Sequence, residues 1–174
     1  AIDAGFPADK IVYAGVGKSD REILIALHND IFCFNVESIP ELHVINELAA
    51  REGKVARVCL RINPDVEAHT HTHIITGMAE NKFGIALKDM LSVVELANEL
   101  PNISFKGLHF HIGSQITKIR RIKNALREAT QFYVQLSKLG FNIEFVDANH
   151  GPIGNVIEDM SWIEYNSTVE NGVC

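Results

Sequence analysis

Two histidines at alternate positions, His109 and His111, stand in the run Gly107-Leu108-His109-Phe110-His111-Ile112-Gly113-Ser114-Gln115-Ile116-Thr117. The stretch is apolar from Phe105 onward and breaks into a Gly-Ser turn, which reads as a buried strand ending in a polar cluster. Strand side chains alternate, so both imidazoles belong to one face, and Gly113 lets the backbone come close to a ligand. An imidazole that stacks on a ring, followed by the Ser114 hydroxyl near a phosphate, suits a flat, phosphorylated cofactor. A core histidine beside an ordinary turn satisfies the same spacing. Arg61 closes a second apolar run, where a lone cation is expensive unless paired, and we read it as a site residue.

Other clusters carry less. Gly15-Val16-Gly17-Lys18-Ser19 invites a phosphate-cradling P-loop, but that pattern needs a further glycine at position 12, which is Val12. Lys18 then stands at a helix start as a polar residue. His69, His71 and His73 alternate with threonines and would share a face if extended. No carboxylate or cysteine is placed to complete a metal site with them, so they read as solvated histidines.

The elements that position these residues alternate. Strands are expected at Lys10–Ala14, Ile31–Val36, Val55–Ile62, Ile103–His111 and Phe141–Val146. Helices are expected from Ser19, which forms a capping box with Glu22, to about His28; from Ser38 to about Glu52; over Leu87–Leu100; and over Ile119–Leu139. Such βα units predict parallel strands joined by right-handed crossovers. The long polar stretch from Asp65 to Lys82 is expected to be functional, with Glu80–Gly84 returning it to the mouth of the site. The polar residues fall just after the strands, where α/β proteins bind ligands.

Bulk properties narrow the partners. The 174 residues suit one domain or most of one. A net charge of −6 and a pI near 5.7 argue against nucleic acid, and no apolar run reaches membrane-spanning length. Cys33, Cys59 and Cys174 form neither a disulfide framework nor a zinc pattern, which points to a reducing cytoplasm.

The strings Phe34-Asn35-Val36-Glu37-Ser38, Leu60-Arg61-Ile62-Asn63-Pro64-Asp65-Val66, Thr76-Gly77, Glu80-Asn81-Lys82-Phe83-Gly84-Ile85 and His109-Phe110-His111-Ile112-Gly113-Ser114-Gln115-Ile116-Thr117 together resemble diaminopimelate decarboxylase. This is a pyridoxal-phosphate enzyme with an alanine-racemase-like barrel, related to ornithine and arginine decarboxylases. The resemblance implies an α/β fold, a partial TIM-type βα barrel holding about strands three to seven of eight. Residues 1–147 would be the central part of the cofactor-binding barrel and 148–174 a divergent tail. It implies pyridoxal 5'-phosphate as cofactor, a small amino-acid substrate (meso-diaminopimelate, giving lysine), and a homodimer for the full-length family. By the same resemblance His111 stacks on the cofactor ring, Ser114 lies near its phosphate, Arg61 lies close to the cofactor, and Lys82 and Gly84 are structural.

Only Gly151 and Gly154 answer to the family's glycine-rich phosphate loop, in Ala148-Asn149-His150-Gly151-Pro152-Ile153-Gly154. The family's Schiff-base lysine, in a Tyr-Ala-x-Lys-Ala-Asn context, is expected upstream of residue 1. The chain alone is therefore expected to be inactive. The alternatives are a non-catalytic homologue that regulates or pairs with an intact decarboxylase, an ornithine or arginine decarboxylase relative, and a P-loop nucleotide-binding module.

Overall fold

Ser19 opens the first helix as a full capping box: its hydroxyl accepts from the Glu22 N–H while the Glu22 carboxylate accepts from the Ser19 N–H. The computed structural model describes residues 1–63, 83–113 and 119–150. The stretch 65–82 with His69, His71, His73 and Lys82, and the residues Ser114 and Gly151, lie outside the described residues.

In chain order the elements are β1 (Val12–Tyr13), α1 (Asp20–His28), β2 (Cys33–Val36), α2 (Ile39–Arg51), β3 (Ala56–Asn63), β4 (Ile85–Ala86), α3 (Met90–Glu99), β5 (Ile103–Gly113), α4 (Ile119–Lys138) and β6 (Phe145–His150). Every strand pairing is parallel. The order across the sheet is β1-β2-β3-β5-β6, with β4 paired to the far end of β3.

One sheet face is apolar and packs on the helices. Phe34, Val36, Val58, Leu60, Ile62, Leu108, Phe110 and Val146 are buried with Ile23 and Leu27 of α1, Leu42, Ile45 and Leu48 of α2, Val93 and Val94 of α3, and Phe132 and Leu136 of α4. The opposite face carries Cys33, Asn35, Cys59, Arg61, Gly107, His109, His111, Phe145 and Asp147 by strand alternation. The sheet curls around this second face. In a flat sheet β2 and β6, three strand spacings apart, would lie about 14 Å from each other. Instead the Asn35 Nδ2 atom is 2.9 Å from Asp147 Oδ2, and the Phe32 and Phe145 rings are 5.0 Å apart. The polar face is thus the lumen of a parallel half-barrel, as expected.

Gly107 permits part of this closure, since a Cβ there would lie 2.0 Å from the Phe145 carbonyl oxygen. The β3–β5 register also slips at this point, from Val58↔Phe105 to Cys59↔Gly107.

The structure shifts several expected boundaries and adds one short strand. The last strand lies over Phe145–His150 and not Phe141–Val146, so it runs past residue 147. Phe141 and Ile143 mimic strand alternation because both pack against the core from the preceding connection. The segment at Leu87–Asp89 is a 3-10 turn, and α3 starts at Met90. The two-residue β4 was not expected, being too short to show any periodicity.

Candidate active site

Parallel registration puts Arg61, His109 and Asp147 in one row, since Arg61 pairs with His109 and His109 with Asp147. His111 stands one lumen-facing position further along β5, half-buried, towards the carboxyl ends of the strands. Arg61 and His111 therefore share the lumen face at one rim.

Arg61 is paired, as a cation ending a buried strand must be. Its Nη1 donates to both carboxylate oxygens of Glu37, at 2.9 and 2.7 Å. The side chains are 12% and 4% exposed, so water screens the pair little. The guanidinium carbon lies 6.0 Å from the Phe83 ring centroid. Gly84, at φ 89°, lets that segment close on the arginine, because a Cβ there would come within 3.1 Å of Arg61 Cγ and of its carbonyl oxygen.

A second ion pair lies behind the first. Lys18 Nζ donates to the Gly15 carbonyl at 2.7 Å, the Asn35 carbonyl at 2.8 Å and Glu41 Oε1 at 2.5 Å. Its side chain is 1% exposed. All three ammonium protons are engaged, so Lys18 is a buried anchor tying the turn after β1 to β2 and α2, more than a polar residue at a helix start. Burial pushes the Glu41 carboxyl up, against the opposing pull of Lys18. The other oxygen of Glu41 accepts from the Glu37 N–H at 3.2 Å, which links the two pairs.

In the same row as Arg61, Asp147 Oδ2 is 2.9 Å from both Asn35 Nδ2 and His109 Nδ1. Below them Cys33 and Cys59 place their sulfurs 3.7 Å apart. Burial and the neighbouring Cys33 push the Cys59 thiol up, so it stays neutral, in keeping with a small hydrophobe.

Sequence reasoning reached Arg61 and His111 as site residues, and Asn35, Glu37 and Asp147 only as polar residues at strand ends without a role; it did not reach Glu41. The available signal was polarity at every second position of otherwise apolar strands: Cys33, Asn35, Glu37 on one; Cys59, Arg61, Asn63 on the next; Gly107, His109, His111 on the third.

The rim so built has a planar imidazole, a fixed guanidinium and a wall of parallel strand ends. The family described as "Pyridoxal-dependent decarboxylase, pyridoxal binding domain" matches residues 1–169. The chain is 66% identical over 116 residues to a diaminopimelate decarboxylase of Bacteroides thetaiotaomicron, covering 67% of this chain and 30% of that protein. It is 43% identical over 151 residues to one from Aquifex aeolicus, covering 87% and 36%. Among solved structures, the diaminopimelate decarboxylase of M. jannaschii in co-complex with L-lysine superposes with a TM-score of 0.80 at 34% identity, covering 96% of this chain and 41% of that one. The chain thus spans about a third of the length of the curated relatives it matches. A curled parallel sheet with its polar row at the strand ends, matched to one family over nearly every residue, places this chain among the pyridoxal-dependent decarboxylases, within their pyridoxal-binding domain.

Proposed function

We propose that these residues form the central wall of the pyridoxal phosphate site in a diaminopimelate decarboxylase, which converts meso-diaminopimelate to L-lysine in a homodimeric, cytoplasmic enzyme. The observation that carries the reading is the shared rim: Arg61, pinned by Glu37, and His111 lie on one lumen face at the carboxyl ends of parallel strands. The donor set fits the cofactor. His111 offers a planar face for a pyridine ring. Ser114 and Gly151 are proposed for the phosphate.

When bound, pyridoxal phosphate supplies the electron sink for the carbon that loses carbon dioxide. The chain's own residues bind and orient. His111 sets the plane of the ring. Arg61 is neutralised by Glu37 and contributes a fixed, oriented donor edge at the rim. The apolar layer outside the sheet keeps β3 and β5 in register, so that this edge and the imidazole hold their separation.

None of the described lumen residues is a lysine, and Lys18 has its three donors engaged. With meso-diaminopimelate and added pyridoxal phosphate, the 174 residues alone should release little lysine. Cofactor binding, followed by absorbance on titration with pyridoxal phosphate, should be measurable and should weaken in H111A. Equal binding by wild type and H111A, no binding at all, or lysine release at ordinary enzyme rates would each refute the reading.

A further inference from the structure

Asp147 occupies an unusual place, because one carboxylate oxygen joins three strands across the lumen. Oδ2 lies 2.9 Å from Asn35 Nδ2 on β2 and 2.9 Å from His109 Nδ1 on β5, while Asp147 itself is on β6. An amide nitrogen can only donate, so Oδ2 is an acceptor in this arrangement. An ionised carboxylate is acceptor-only, so against it the imidazole nitrogen at 2.9 Å is the donor, which assigns the proton to Nδ1. The register row Arg61↔His109↔Asp147 places the ring between these two neighbours on the lumen face. His109 is 2% exposed, and Phe110 and Leu108 beside it are buried on the helix side.

The consequence lies at the other nitrogen. His109 Nε2 makes no bond among the described residues, yet no side-chain nitrogen or oxygen among them is both sealed from solvent and unpaired. Nε2 is therefore not sealed off, on the side of the ring turned away from Asp147.

We propose that Asp147 is a positioning residue that locks His109 with its proton on Nδ1 and so presents Nε2 as a hydrogen-bond acceptor to the lumen. Such an acceptor takes an ammonium or hydroxyl donor of a ligand seated above it, one layer below His111. The inference deepens the cofactor-site reading but is read out without any cofactor. Asn35 is the second half of the device: its amide holds the carboxylate oriented from the opposite wall. A ring without this lock would exchange between tautomers and offer the lumen a donor as well as an acceptor.

The test is long-range proton–nitrogen NMR on the full chain labelled with ¹⁵N-histidine, near neutral pH and without ligand, with His109 assigned by H109Q. The expected signature is a protonated Nδ1 and an aprotic Nε2. In D147A the lock is lost, and the His109 signals should move towards the averaged values of a free imidazole. A wild-type His109 that is protonated on Nε2, doubly protonated or free-imidazole-like overturns the proposal, whatever the variant does. So does a D147A spectrum that keeps the lock. Pyridoxal phosphate binding is followed separately by absorbance, so failure of one reading is distinguishable from failure of the other.

Discussion

Removing the Glu37 carboxylate should leave the Arg61 guanidinium nearly buried and without its counter-charge. The carboxylate is 4% exposed and the arginine side chain 12%, and both oxygens accept from Nη1. Breaking such a pair from one side costs about 3–5 kcal/mol, mostly the penalty of the stranded charge. The small exposure of Arg61 lets it tilt towards solvent and favours the lower end. For a chain of this size each kcal/mol moves the thermal midpoint by roughly 2–4 °C, so E37A should melt about 6–12 °C below wild type. The control is the apolar pair E37L/R61M, which removes both charges and should return to within about 1 kcal/mol of wild type. Urea unfolding followed by circular dichroism on wild type, both single variants and the double variant completes the cycle. A loss under about 1 kcal/mol in E37A, the value of an exposed pair, refutes the claim of a buried lock. So does a double variant whose loss equals the sum of the singles.

Four further outcomes follow from particular contacts. In H111A, loss of ring stacking worth roughly 0.5–1.5 kcal/mol should weaken pyridoxal phosphate binding by about 2- to 12-fold in an absorbance titration; unchanged binding would remove His111 from the site. In G107A the new methyl meets the Phe145 carbonyl at 2.0 Å, so β6 must move off β5 at about 3 kcal/mol or more, and an unchanged melting curve would refute that close approach. At the start of α1, S19A should cost about 1 kcal/mol in urea unfolding. The hydrogen bonds from Ser19 hold the Glu22 carboxyl below its ordinary value of 4.5, so its contribution is present above that pH and is lost as pH falls below it. E22Q should therefore flatten the acid side of the stability profile, and an unaltered acid limb would count against the capping box.

Much of this was legible along the chain. Nearly continuous apolar runs such as Ile31–Val36 and Val58–Leu60 announce buried strands, and Ser19 and Ser38 announce helix starts. Both signals are local, so they survive without tertiary context. Arg61 was recognisable because a cation ending an apolar strand needs a reason to be there, and His111 because an imidazole at a strand end does. The strand at Phe145–His150 was misplaced because Phe141 and Ile143 reach the core from outside any strand.

The residues alone determined the alternation of strands and helices, the parallel class of the sheet and two members of its rim, because periodicity and capping act over a few positions. Only the folded chain decided that Glu37 answers Arg61 across 24 positions and that Asn35 meets Asp147 across 112. Those pairings depend on how tightly the sheet curls, and curvature is a property of six strands packed together, set by the Gly107 approach and the register slip beside it, that no single segment contains.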